Sequence, residues 1–436
     1  MLLNFEIENW SCFKNKTCFS MQAGPEHDPN GRLALVGAES RPLKVLPAAA
    51  IYGNNASGKT QFIRALQFLQ DLMTDQFDAG YLPVEPYMLD PGTEKAPTQL
   101  TLQFVVGEAI YELRLSVTSK EILGEELASY GTRSTSRHLL YRRDGQKIEA
   151  FNEWGTVDFQ KYVKTLALDP TKSFLAVSAM LLATTQIVKD VRNWFENTLC
   201  IISPDARYMA VEKYCEPCGI AEATQEYLGR FDTGIRNLAP QDVSLETFSQ
   251  KIIDEVRKNL ARASMVRRLI GGNVFLFDRL NDGAIRARKL CAVHDCSDGG
   301  FKAFPLDRES DGTRRMLDLV PTIGSIRNCK QDVVFVVDEI DRSLHHLVTR
   351  AMVEDFLSAC SAKTRFQLVF TTHDLLLMDQ AIFRRDEMYV TDKSPEGIAN
   401  IADISSFKNS GRGLDVETNI LKKYLDGRFG GIPRSI

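Results

Sequence analysis

The eight residues Gly53, Asn54, Asn55, Ala56, Ser57, Gly58, Lys59 and Thr60 constrain this chain more than any other stretch. They satisfy the pattern G-x-x-x-x-G-K-[ST], and they sit where that pattern has physical meaning. The run Val45 to Tyr52 before them is apolar throughout and reads as a buried strand, while Phe62, Leu66, Leu69 and Met73 after them recur at helical spacing. A strand, a turn of small residues and a helix start bring several backbone N–H groups to one point, where they converge on phosphate oxygens. Lys59 is then placed to reach the β- and γ-phosphates of a nucleotide, and the Thr60 hydroxyl to ligate Mg2+. A chance match in a glycine turn is the alternative, and the strand and helix on either side argue against it.

Such a loop needs a carboxylate at the end of a second buried strand. Val333 to Val337 is an apolar run that ends in Asp338 and Glu339. Asp338 is the candidate to hold Mg2+ through water, and Glu339 the candidate general base that polarises the attacking water. Acidic residues also cap helices well, which is the plainer reading of the pair. Phe366 to Phe370 is a further short buried strand ending in Thr371, Thr372, His373 and Asp374, which sets one histidine at the carboxyl edge of the sheet. Upstream, Glu309, Ser310, Asp311, Gly312, Thr313, Arg314 and Arg315 stand before an apolar helix, with hydroxyl and glycine placed to offer N–H donors to an anion. A helix N-cap explains Ser310 or Asp311 equally well.

The rest of the chain supplies the frame. Leu2 to Asn9 and Lys16 to Met21 alternate apolar and polar residues, as a hairpin does, and Thr98 to Val106 and Ala109 to Val117 alternate around Gly107 and Glu108. From about Asp158 to Arg268 apolar residues come at intervals of three and four, as in Val188, Val191, Trp194 and Phe195, which predicts a helical insertion. Strand-like stretches return near Asn273, and from Asp311 onward helix and buried strand alternate. The expectation is an α/β fold with a mixed, mostly parallel sheet: an N-terminal lobe with antiparallel strands over 1–155, a helical insertion over 156–270 and a C-terminal lobe over 271–436.

Composition narrows the setting. With 436 residues and 44% hydrophobic content the chain can bury a large core, and no apolar run approaches the roughly 20 residues that cross a bilayer, so no membrane role of its own is expected. Nine cysteines without a repeating frame and no basic-then-apolar leader predict a cytoplasmic protein without disulfides. A formal net charge of -4 gives no global attraction to nucleic acid. Lys258, Arg262, Arg267, Arg268, Arg279, Arg286, Arg288 and Lys289 form a locally basic stretch interrupted by Asp278 and Asp282. Contact with DNA phosphates is one reading of it; a solvated face is the other, and no aromatic residues are interleaved for base stacking. Cys215, Cys218, Cys291, His294 and Cys296 together offer enough ligands for zinc, but the two groups are far apart in sequence, and buried free cysteine is the simpler reading.

Phosphate loop, Ser310 to Gly312, acidic strand and His373 occur in the order of an ABC-type ATPase head, and the chain resembles the SMC/RecF branch of that superfamily. Ser310 and Gly312 match the serine and second glycine of the family signature, whereas Glu309, Asp311 and Thr313 depart from the transporter form. The chain is also similar, over nearly its whole length, to RloA-like stand-alone bacterial ATPases, related to the overcoming-lysogenization-defect ATPases and to ATPase subunits of two-gene phage-defence systems. That similarity is carried by Ile7 to Phe13, Pro86 to Asp90, Glu309 to Arg315, Asp338 to His345 and the tail Tyr424 to Pro433. His346 stands where relatives often carry proline, and no glutamine occupies the stretch around Met88 where a Q-loop would be sought.

The resemblance implies a P-loop ABC-type ATPase head that binds ATP and Mg2+ and closes as a homodimer or higher oligomer. In it, the signature reaches the γ-phosphate held by the opposite subunit, His373 is the switch histidine, and Asp341 with Arg342, Ser343, Leu344 and His345 lines the dimer interface. It further implies a sensor or regulatory ATPase that acts through a separately encoded effector, a nuclease among the candidates. A nuclease in the same chain is not expected, because relatives with one carry it after the switch-histidine lobe and the family tail occupies that stretch here. A RecF-like repair ATPase that binds DNA directly is the alternative. A transporter subunit fits least, for want of the signature form and the compact head, and long SMC arms would need sustained heptads that are absent.

Overall fold

The alternation at the start of the chain becomes β1 (Leu2–Glu8), paired antiparallel with β2 (Thr17–Ser20) so that Phe5 lies opposite Phe19. The computed structural model describes the chain apart from residues 29, 38–41, 131–135, 152–153, 155–160, 162, 164–165, 180–184, 206–218, 232, 262, 272, 325–331, 410–411, 414–418 and 433–436, and apart from the side chains of 219–224, 321–324, 408–409 and 412–413. Two compact units divide it: 1–204, 331–340 and 360–436 form the first, 205–330 and 341–359 the second. None of the described helices is long and apolar enough to cross a membrane.

In the first unit a short pair, β3 (Ala34–Val36) and β4 (Leu43–Val45), precedes β5 (Ala48–Gly53). The apolar run expected as one strand from Val45 to Tyr52 is therefore divided. Val45 pairs with Ala34, and Pro47, which has no N–H for a ladder, separates it from β5. After β5 comes α1 (Lys59–Met73), which turns Phe62, Leu66, Leu69 and Met73 inward. Phe62 meets the rings of Phe5 and Phe19 at 5.7 and 5.1 Å, and Phe68 meets Trp10 at 5.3 Å, so the hairpin supplies the surface on which α1 rests. The strands β6 (Thr98–Val106), β7 (Ala109–Val117), β8 (Ile122–Tyr130), β9 (Arg137–Asp144) and β10 (Lys147–Ala150) complete a seven-stranded antiparallel sheet in the order β10-β9-β8-β7-β6-β1-β2.

A buried carboxylate ties this sheet to the next helix. Glu125 of β8 is fully buried and accepts hydrogen bonds from Ser173 Oγ at 2.9 Å, from Tyr141 Oη on β9 at 2.6 Å, and from the Phe174 and Leu175 N–H groups at 3.0 and 3.1 Å. Those two amides open α2 (Phe174–Ser178), where an anion is favoured. Arg143 Nη1 lies 4.0 Å away and donates to Lys172 O at 2.5 Å. Glu125→Ala leaves four donors without this acceptor and takes the nearby carboxylate from a guanidinium that keeps its carbonyl partners at Gly145, Lys172 and Pro170, and it is expected to cost about 3–5 kcal/mol of stability. Chemical denaturation reads that directly; an unshifted midpoint would refute it.

The span 156–270, expected to be helical, is mixed. The spacing of Val188, Val191, Trp194 and Phe195 does form α3 (Gln186–Asn193) and the π-helical turn after it, with all four residues buried. The chain then supplies β11 (Leu199–Ile202) to the first unit. In the second unit, α4 (Gly219–Arg230), β12 (Ile235–Val243), α5 (Gln250–Leu260) and β13 (Met265–Ile270) alternate, followed by β14 (Asn273–Arg279), β15 (Ile285–Asp295) and β16 (Phe301–Pro305). The missed strands have physical reasons: β11 is too short to show a period of two, and β12 is an edge strand, where Pro240 is tolerated. The five strands pair antiparallel, and α5 packs Ile253, Val256 and Leu260 against Val266, Phe275, Phe277 and Ala287 on one face. Two more helices, α6 (Asp311–Gly324) and α7 (His346–Ser358), belong to this unit.

The main sheet of the first unit runs β11, β17 (Val333–Val337), β18 (Phe366–Thr371), β5, β19 (Met388–Lys393) and β20 (Ala399–Asp403). All neighbours are parallel except the last pair. At the turn into β19, Glu387 is buried, and burial pushes its carboxyl up to about 8; Asp386 adds to the rise, while the Arg384 N–H, Arg384 and Arg32 oppose it. Burial, followed by the charge of Glu387, pushes the nearby Cys360 thiol up to about 12. A carboxyl raised from 4.5 in this way keeps a proton that the unfolded chain has released, so its contribution is whole below the lower value and lost as pH rises through the higher one. Stability is expected to decline from about pH 5 to about pH 8, and Glu387→Gln to flatten that decline. Parallel melting profiles for the two proteins would assign the slope elsewhere.

Candidate functional site

Because β17, β18 and β5 are consecutive parallel neighbours, their carboxyl ends stand side by side. That edge collects Asp338 and Glu339 after β17, Thr371 to His373 at the end of β18, and Gly53 at the end of β5, although they are far apart in the sequence. Open parallel sheets bind ligands at this edge.

The loop after β5 depends on its small residues. Gly53 has φ 153°, and a Cβ there would come within 2.7 Å of Ser57 Oγ and of Thr391 O. Gly58 has φ 115°, with Cys12 Sγ 3.1 Å from where a Cβ would stand. Ser57 Oγ and Thr391 Oγ1 are 2.6 Å apart, and Thr391 donates to Tyr52 O at 3.1 Å, which fastens the loop to β19. Asn54 Oδ1 accepts from Asn55 N–H at 2.7 Å, and Ala56 takes a left-handed φ of 61°. Lys59 Nζ donates to the carbonyls of Gly53 at 2.7 Å and Asn54 at 3.0 Å, and the residue is only 6% exposed. The ammonium thus spans the loop from within.

This loop opens on a cleft of about 280 Å³ lined by Asn55 to Gln61 together with Glu339, His373, Lys393, Ser11 and Cys12. Lys393 was not singled out by the sequence, and Ser11 and Cys12 entered only within the stretch Ile7 to Phe13 that carries the family resemblance, with no role of their own. The turn between β1 and β2 brings in Ser11 and Cys12, with Trp10 Nε1 donating to Gln61 O at 3.0 Å, and nothing in local spacing announces that approach. Burial raises the Cys12 thiol, opposed by the positive charge of Lys393.

Asp338 is 2% exposed, and its Oδ1 accepts from Thr371 Oγ1 at 2.5 Å. Glu339 holds a left-handed φ of 50°, a conformation costing of order 1–3 kcal/mol for such a residue, and its N–H donates to the same Thr371 oxygen at 2.7 Å. Neither carboxylate caps a following helix: α7 begins at His346, and its cap is the His345 side chain. Thr60 and Asp338, the residues expected to hold Mg2+, offer oxygen donors, the kind that a hard divalent cation takes. Among the described residues no group of three His, Cys, Asp or Glu side chains gathers.

In the second unit, Ser310 Oγ accepts from Thr313 N–H at 3.1 Å, so the N-cap reading is realised at the start of α6, on an exposed residue. Gly312 is needed for a different reason: a Cβ there would stand 2.6 Å from Ser343 O. The loop Asp341 to His345 therefore lies directly on the Ser310–Gly312 segment, turned by Ser343 at φ 61° and closed by Leu344 N–H to Asp341 O at 3.0 Å. Glu309, next to Ser310, meets His294 Nε2 at 2.9 Å. That bond gives His294 a partner other than a metal; Cys291 and Cys296 are free thiols, and Cys215 and Cys218 lie outside the described residues. In the basic stretch, Arg286 and Arg288 share Asp278, Arg268 faces Glu255 at 4.0 Å, and Lys289 Nζ sits 5.7 Å from the Phe275 ring centre. Arg262 lies outside the described residues.

Fold and site together define an α/β P-loop ATPase head, with a mixed, mostly parallel sheet behind the loop and an antiparallel N-terminal sheet beside it. The profile of the family described as "AAA domain, putative AbiEii toxin, Type IV TA system" matches residues 48–162 and 222–379. That is more than half of the chain, and the chain belongs to this family. No curated protein matches it. Among solved structures it is similar to the SMC head domain from Thermotoga maritima, at 12% identity and a TM-score of 0.36, covering 92% of this chain and 98% of that one. A second is an SMC head bound to the C-terminal winged-helix domain of ScpA, at 13% identity and a TM-score of 0.37, covering 95% and 98%.

Proposed function

We propose that the chain is an ABC-type ATPase that binds and hydrolyses ATP in head-to-head dimers, and that it is the cytoplasmic sensor of a two-gene anti-phage system of the RloA-like kind. One observation carries the enzymatic part: the glycine-dependent loop, Glu339 and His373 line one cleft, and buried Asp338 ends the adjoining strand. In this reading the amides of Asn55 to Thr60 and the Lys59 ammonium hold the phosphates. Bound Mg2+, held by Thr60 and Asp338, would neutralise phosphate charge in the transition state. Glu339 accepts the proton of the attacking water, and His373 hydrogen-bonds the terminal phosphate. Ser310 and Gly312 come from the second subunit, with Asp341 lining the interface between the two.

ATP then acts as a removable interface. Its phosphates join loop and signature of different chains, and hydrolysis releases those charge-assisted contacts. The family's description as a type IV toxin–antitoxin system supports a separately encoded partner. The paired arginines around Asp278 give no support to direct DNA binding as in a RecF-like repair ATPase. Two experiments test the reading. Light scattering should show the mass doubling when ATP and Mg2+ are added, and an unchanged mass would refute the dimer. In phage challenge, protection should require both this gene and a neighbouring one; protection by this gene alone would refute the separate effector.

A further inference from the structure

Thr371 touches the candidate catalytic turn at three points and is fully buried. Its Oγ1 donates to Asp338 Oδ1 at 2.5 Å and accepts from Glu339 N–H at 2.7 Å, and its carbonyl accepts from Ile340 N–H at 3.0 Å. A hydroxyl has one proton to give. Here it goes to the carboxylate, which leaves the oxygen lone pair for the Glu339 amide. On its other side Thr371 lies beside Ile51 of β5, and the next amide, Thr372 N–H, donates to Ile51 O at 3.1 Å. One residue therefore links the acidic turn to the strand that carries the phosphate loop.

From this geometry we infer that Thr371 is the positioning residue for the metal carboxylate and the general base, with its hydroxyl setting the rotation of Asp338 and holding Glu339 in its left-handed backbone conformation. The inference rests on the ATPase reading and deepens it. With Oδ1 tethered, the carboxyl group cannot rotate freely, so it presents the same edge to a cation each time a nucleotide arrives. Partners of this kind orient metal ligands and typically change metal affinity by about 10–100-fold when removed. The left-handed turn at Glu339 needs the same hydroxyl, because strained backbone persists only where its surroundings over-determine it. Sequence gave no hint of this, since the role depends on β17 and β18 being neighbours.

The test compares the intact chain with Thr371→Val, which keeps the shape and removes the hydroxyl, and Thr371→Ser, which keeps the hydroxyl. ATP binding is measured in EDTA, and Mn2+ binding in the presence of ATP is followed by electron paramagnetic resonance. Thr371→Val should weaken Mn2+ binding by about 10–100-fold while ATP binding in EDTA is unchanged, and Thr371→Ser should restore wild-type Mn2+ affinity. The Mg2+ dependence of turnover should shift to higher concentration in the valine variant alone. Should that variant fail to fold, Thr371→Ala carries the same comparison. Wild-type Mn2+ affinity in a folded variant without the hydroxyl overturns the inference, and so does an equal loss of ATP and Mn2+ binding. A wild-type chain that binds no ATP overturns the ATPase reading itself, and this inference with it.

Discussion

Lys59→Ala is expected to abolish measurable ATP binding and to lower turnover by at least about 10²–10³-fold, the scale seen when one preorganised donor to a developing charge is removed. The geometry explains why the effect should be so large. The ammonium is nearly buried and bridges the carbonyls of Gly53 and Asn54, so it both shapes the loop and supplies its only lysine charge. Alanine leaves those two carbonyls without this donor and removes a cation from the place where phosphate charge must be met. Lys59→Arg should not rescue, because a planar guanidinium cannot enter a space shaped around a compact ammonium. Calorimetric titration with ATP reads the first loss, and phosphate release the second. Binding retained at wild-type strength would show that the cleft takes its ligand elsewhere.

Glu339→Gln should behave in the opposite way toward ATP. The amide keeps the size of the side chain, and the backbone stays pinned by Thr371, so binding should persist. Proton transfer from water should not, and single-turnover hydrolysis is expected to slow by about 10²–10⁴-fold. An ATP-bound dimer would then accumulate. The two variants separate holding from cleaving, and a glutamine variant with a normal rate would remove Glu339 from the chemistry.

How much of this could be read beforehand depended on the range over which each signal acts. The hairpin β1–β2, the pair β6–β7, helix α1 and the buried strands β17 and β18 carry their own periodicity or run length, and the structure forms them where the pattern placed them. The strands β11, β12 and β13 do not: one is short, and the other two lie on sheet edges with polar or proline-interrupted sequences. Pro47 split a run that looked continuous. Buried charge was also invisible, because Glu125 and Arg143 lie on strands whose pattern suggests polar, outward residues.

The site divides in the same way. Lys59 opens α1, and Asp338, Glu339 and His373 follow the ends of β17 and β18, where a local pattern predicts both the element and the edge. Lys393, Ser11 and Cys12 reach the cleft through sheet order and through a turn that folds back over the loop, and Thr371 meets the acidic turn because β18 lies beside β17. Gly312 was legible as a glycine but not for its cause, the close approach of Ser343 O.

In the proposed dimer each nucleotide site is built from the phosphate loop of one chain and the signature of another. Mixing two inactive variants puts this shared site to the test: Lys59→Ala, which lacks the loop's cation, and Ser310→Arg, which blocks the signature. Loss of the Ser310 cap costs about 1 kcal/mol, so the second variant should still fold and bind ATP. Each alone should be silent. In a mixed dimer one site regains an intact loop and an intact signature, so ATP turnover should reappear on mixing. A mixture as inactive as its separate components would rule out a site shared between two chains.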